Sequence, residues 1–179
     1  MRLKLPASIS VLLLTLVSVL GIVNWDIYQK EQQLAHGQVV RLALAPVDPR
    51  SLMQGDYMTL NYAIAAPLST LLEVETGQGL VQVRLDNNRV ASLVSVDQES
   101  ASVTLTETGQ NLSGISATDE IVNIQYRVRH NQIKFASNAY FFEEGQAKRY
   151  EGAKYGQFRV DGQGALLLES LLDKDFNPL

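Results

Sequence analysis

The chain has 179 residues and a formal net charge of −4, with both signs scattered along it. No Lys/Arg block lies outside the extreme N-terminus, so there is no electrostatic footprint for nucleic acid. Cysteine is absent, which excludes disulfides, thiolate metal sites and a cysteine nucleophile, and the two histidines, His36 and His130, share no metal-ligating spacing.

Arg2 and Lys4 precede an uncharged run from Ala7 to Val23, about the minimum length for a membrane-spanning helix. Trp25 follows, an aromatic of the type that settles at the lipid–water boundary. No small-x-small cleavage signal comes after the run, which favours a retained signal anchor over a cleaved signal peptide. The basic residues in front predict a cytoplasmic N-terminus and delivery of everything after Trp25 to the other side. This divides the chain into a cytoplasmic tip and anchor at 1–25, a helical stalk at 26–36 ending at Gly37, and an external domain at 37–179.

In that domain Gln38–Ala45 reads as a strand stopped by Pro46. Asp48 and Pro49 form a helix-start pair, with room for about one turn before Gly55. From Asp56 the period becomes two, with Met58, Leu60 and Tyr62 on one face and Tyr57, Thr59 and Asn61 on the other. Arg50 between Asp48 and Asp56 has the chemistry of a corner brace, a guanidinium forked onto two carboxylates.

"PLSTLLEV" predicts a short helix starting at Pro67. "LVQVRLD" and "RVASLVSVD" are the arms of a hairpin, with Asn87-Asn88 suited to the positive φ of a tight turn. Ser102–Thr108 is a candidate third strand. Between Ile121 and Arg129, the odd positions Ile121, Asn123, Gln125, Arg127 and Arg129 oppose Val122, Ile124, Tyr126 and Val128, the mark of a sheet with one wet face. A short helix near Ala147 and a closing hairpin around Asp161–Gly164 complete the chain. The fold class is α+β: an N-terminal transmembrane helix, then mainly antiparallel strands with short helices near Arg50, Ser69 and Ala147. Pattern alone leaves barrel and sandwich open.

"GDYMTLNY", Gly55 to Tyr62, matches letter for letter the Gly-Asp-Tyr-x-x-Leu-x-Tyr signature of the GDYXXLXY protein family, at Gly55, Asp56, Tyr57, Leu60 and Tyr62. The anchor and the closing "YFFEEGQAKRYEGAKYGQFRVDGQGALLLESLL" also resemble its members. The resemblance implies a small, membrane-anchored bacterial protein, often encoded beside multi-spanning membrane proteins, and it carries over no catalytic residue. Ser51, Met53, Gly55 and Asp56 also sketch the Ser-Met…Gly-Asp pattern of type I signal peptidases, whose serine needs a desolvated lysine. Leu52 follows Ser51 where that family has Met, and the candidate lysines, Lys134, Lys148 and Lys154, lack its surrounding motif.

The motif positions Asp48, Arg50, Gly55, Asp56, Tyr57, Leu60 and Tyr62 are therefore candidates for a structural or partner-binding role. Tyr140, Phe141, Phe142, Tyr150 and Tyr155 form a candidate binding surface. No cofactor and no metal is expected. The chain reads as a non-enzymatic envelope protein of the bacterial inner membrane. Its leading reading is an accessory or regulatory partner of a multi-spanning membrane protein. A binding module for envelope glycan, lipid or peptide is the alternative, and a Ser/Lys hydrolase the third reading.

Overall fold

A computed structural model describes residues 7–45, 57–72, 76–98, 101–104, 120–130 and 132–179. It contains two compact units, Met1–His36 and Gly37–Leu179. In the first, helix α1 spans Ala7–His36 without a break. From Val11 to Val23 its side chains are exposed on every side, and among the described residues it is the one helix long and apolar enough to cross a membrane. Thr15, Ser18 and Asn24 donate back to the carbonyls of Leu12, Leu14 and Leu20 at 2.9, 2.8 and 2.7 Å. Internal pairing of this kind suits a solvent that offers no hydrogen bonds. The helix is compatible with a single-pass anchor or a signal sequence.

The second unit is built from ten described strands and two short helices. β1 (Gln38–Ala43), β9 (Tyr155–Val160) and β10 (Leu166–Leu172) form one antiparallel sheet in the order β1-β9-β10. β2 (Tyr57–Thr59) pairs with β8 (Ala139–Phe141) as a two-stranded ribbon. β3 (Thr76–Leu85), β4 (Ala91–Gln98), β5 (Ala101–Thr104), β6 (Glu120–Arg129) and β7 (Gln132–Lys134) make a five-stranded sheet in the order β5-β4-β3-β6-β7.

β6 shows why these residues form this sheet. Val122, Ile124, Tyr126 and Val128 are buried, while every intervening residue from Ile121 to Arg129 is exposed. One face meets the core and the other meets water, as the alternation predicts. Val81, Val83, Val40, Leu42, Phe135 and Phe158 join that core. At about 25 cal/mol per Å² of apolar area, such side chains supply most of the driving force for closing the unit.

Backbone hydrogen bonds connect the sheets into a circuit. The Arg41 N–H of β1 donates to Arg89 O at 2.8 Å, where β4 is about to begin. From there the ladder passes through β4, β3 and β6. The Gln125 N–H of β6 then donates to Gly164 O at 2.8 Å in the β9–β10 turn, and β9 returns to β1. The arrangement is barrel-like, with a seam on each side of the three-stranded sheet.

Three loops use one device. Asp86, Asp161 and Asp173 each accept from the backbone N–H two and four residues on, through a single carboxylate oxygen, at 2.8 to 2.9 Å. The residue three on donates to the aspartate carbonyl and has positive φ: Arg89 (61°), Gly164 (83°) and Phe176 (64°). This is a type I turn closed by one left-handed residue. It corrects the expectation for the first hairpin, since Asn87 and Asn88 occupy the ordinary central positions and Arg89 takes the left-handed one. Helix α2 spans Ala65–Leu71, starting two residues before Pro67. A proline is tolerated within the first turn, where its missing N–H has no intrahelical role. β1 stops at Ala43, and Leu44 bridges to Tyr62. α3 is the single turn Ala147–Tyr150. The helix expected near Arg50 and the end of the third strand beyond Thr104 lie outside the described residues.

A bulge between Leu168 and Ser170 sets Glu169 beside Arg159. The guanidinium donates to both carboxylate oxygens, at 2.8 and 3.1 Å, and Gln157 adds a bond at 3.0 Å. The Arg159 hydrogen bond holds the Glu169 carboxyl below its ordinary value of 4.5. Its stabilisation is complete above that value and disappears as pH falls through the lowered one. Glu169→Gln is therefore expected to cost about 0.5–1 kcal/mol at neutral pH, discounted for partial exposure. Urea unfolding at a series of pH values should show the gap from wild type closing as the pH falls below 4.5.

Candidate functional site

The signature segment enters the described residues at Tyr57. Gly55, Asp56, Asp48, Arg50 and Ser51 lie outside them, and with them the expected brace. Beyond that point the period-two pattern holds: Met58, Leu60 and Tyr62 are buried, Tyr57 is half-buried, and Thr59 and Asn61 are exposed.

Leu60 and Tyr62 join three parts of the unit. The Leu60 N–H donates to Asn138 O at 2.8 Å. Ala45 N–H donates to Asn61 O at 2.7 Å, and Ala63 N–H to Ala43 O at 2.9 Å, which ties the segment to the end of β1. The Tyr62 hydroxyl donates to Ser137 O at 2.6 Å. Its ring meets Phe135 and Phe158 edge-on, with centroids 5.6 and 5.7 Å away. Burial pushes the Tyr62 phenol far above its ordinary range, so it stays a neutral donor.

Tyr57 faces the other way. Its ring lies 5.7 Å from that of Phe141, its cross-strand neighbour, and Phe141 is 76 % exposed. One exposed ring alone is ordinary at a protein surface. Here the ring borders a shallow groove of about 410 Å³ between β8 and β10, lined by Ser137, Ala139, Tyr140, Phe141, Leu166 and Leu168. β8 pairs with β2 on its far side only, among the described residues. The outer edge of β10 is paired at one end, where Leu179 N–H donates to Leu171 O at 3.0 Å and Pro178 bridges Leu172. The groove is thus bounded by two strand edges, the kind of border to which extended chains add.

The profile of the GDYXXLXY protein family matches residues 19–171, most of the chain. The chain belongs to the GDYXXLXY family. No curated protein and no solved structure matches it.

In this GDYXXLXY protein the described signature residues divide into two roles. Leu60 and Tyr62 are packing and anchoring residues of the core, and Tyr57 is the one that reaches the surface. The five candidate aromatics divide as well. Tyr140 and Phe142 turn toward buried Tyr150, with centroids at 5.2 and 5.0 Å. Burial, reinforced by its hydrogen bond to Tyr150, raises the Tyr140 phenol. Tyr155 packs tilted against Phe176, with centroids 4.8 Å apart, and the Arg41 guanidinium sits 4.9 Å from the Phe176 ring centroid. Of the five, Tyr140 and Phe141 line the groove. Lys148 and Lys154 are exposed and Lys134 is half-buried on β7.

The groove was not visible from the sequence, because its two edges lie far apart along the chain. A signal did exist for Phe141. Three consecutive aromatics in an extended segment must send at least one ring away from the core.

Proposed function

We propose that this GDYXXLXY protein is a non-enzymatic accessory or regulatory partner of a multi-spanning membrane protein. On this reading α1 is a retained anchor in a bacterial inner membrane, with the N-terminus cytoplasmic and the 37–179 unit periplasmic or extracellular. Arg2 and Lys4 before the apolar run support that orientation. The observation that carries the reading is Phe141, exposed beside the signature Tyr57 at the rim of a groove bounded by strand edges. Exposed aromatics next to a depression are the side chains that dominate binding energy at protein interfaces.

The test is purification of the full-length protein from its native membranes in mild detergent, with mass spectrometry of what accompanies it. A stoichiometric multi-span companion is expected. Phe141→Ser should lower its recovery by an amount corresponding to about 2 kcal/mol, roughly 30-fold in affinity, because interface aromatics contribute on that scale. Being exposed, the substitution should leave folding stability within about 0.5 kcal/mol. A wild-type protein that emerges alone would overturn the accessory reading and turn attention to the groove as a site for an envelope glycan, lipid or peptide.

A further inference from the structure

A second depression, about 630 Å³, lies where β7 leaves β6 and the β9–β10 turn comes in. Its lining follows from strand register. Arg127 of β6 stands directly opposite Lys134 of β7, and Gln78 of β3 is opposite Arg127 on the other side. Two like charges directly opposite one another across an antiparallel pair are unfavourable. Nothing relieves this pair, since neither cation has a hydrogen bond or ion pair among the described residues. Three other arginines have partners: Arg159 with Glu169, Arg89 with Glu120, and Arg41 with Gln157 and the Asn88 carbonyl.

Neutral polar groups surround the two cations. The Gln125 side-chain amide donates to the Gln163 carbonyl at 3.1 Å, which fixes its orientation at the wall of the depression. Tyr126, between Gln125 and Arg127 on β6, turns instead to the buried face and lies over Gly79, where a Cβ would stand 2.9 Å from its hydroxyl oxygen. Paired cations with side-chain amides match a ligand that carries a compact negative charge on a polar, hydroxyl-bearing body.

We infer that this depression is a binding site for a small anionic saccharide, its carboxylate or phosphate held between Arg127 and Lys134 and its hydroxyls met by Gln78 and Gln125, which share their face of the sheet. The depression adjoins the groove beside Phe141, sharing Ala136 and Leu166, but its cations and amides belong to other strands, so it stands whether or not a membrane partner exists. Its cost to the fold is the opposed charge pair, which the bound oxyanion would neutralise.

Calorimetric titration of the full-length protein in phosphatidylcholine nanodiscs tests this with four probes: glucuronate, glucose 1-phosphate, glucose and inorganic phosphate. Binding of glucuronate or glucose 1-phosphate is expected, and which of the two binds identifies the anion. Arg127→Gln and Lys134→Gln should each weaken it at least about tenfold, the loss of one charge-assisted hydrogen bond. Both variants should also melt no lower than wild type, and preferably higher, because each removes the like-charge opposition. The inference is overturned if neither anionic sugar binds, if glucose or inorganic phosphate binds as tightly as they do, or if both variants retain wild-type affinity.

Discussion

Tyr62→Ala is expected to cost the 37–179 unit about 3–5 kcal/mol, the range for truncating a large core aromatic. The ring fills the space between Phe135 and Phe158, both themselves buried, so the surroundings have little freedom to collapse into the void. The hydroxyl adds a second loss, because Ser137 O would be left without its 2.6 Å donor. Tyr62→Phe separates the two, keeping the packing and removing the hydrogen bond, and should cost about 1–2 kcal/mol. Equilibrium urea unfolding of the detergent-solubilised chain, followed by near-ultraviolet circular dichroism of its tyrosines, measures both. If Tyr62→Ala proved nearly neutral, the signature tyrosine would not hold the core together, and its role would have to be sought at the surface.

Gly164→Ala is the second large effect, expected at about 2–3 kcal/mol. The residue sits at φ +83°, where an alanine already costs roughly 1–2 kcal/mol. Its new Cβ would stand 2.9 Å from Asn123 O and 3.0 Å from a Leu80 methyl carbon. The backbone oxygen belongs to β6 and cannot turn aside as a flexible side chain would. The contact would push the β9–β10 turn off the β6 edge and strain the bond from Gln125 N–H to Gly164 O. Gly162→Ala is the control in the same turn, since nothing lies within 4 Å of its added Cβ. Similar losses at the two positions would show that turn entropy, and not docking on β6, sets the cost.

Period and breaker residues carried most of the fold. The apolar run of α1, the two-faced β6 and the hairpin around Asp161–Gly164 could be read directly, because each depends on neighbours along the chain. Arg89 could not. Its left-handed backbone is set by the Asp86 carboxylate capturing Asn88 and Val90, and asparagine propensity pointed one or two residues too early. The candidate site was half legible. Tyr57 had to point away from Leu60 and Tyr62 by alternation, but its partner Phe141 is fixed by strand register between distant segments. The opposition of Arg127 and Lys134 is local, seven residues apart across the β6–β7 hairpin, and follows from the register of that turn, which alternation alone does not give.

The closed circuit of strands also fixes an order of assembly. β3, β4, β5 and β6 follow one another along the chain and find partners among themselves. β1 comes first in the unit yet pairs along its whole length with β9, Gln38 with Val160 and Ala43 with Tyr155. Long-range pairings of this type form late, because loop closure must precede the contacts that reward it. As the chain is synthesised, Gln38–Ala43 therefore waits with an open edge until the last segments arrive. That interval, and not the finished molecule, is when the apolar Val40 and Leu42 are most exposed to a chaperone or a protease.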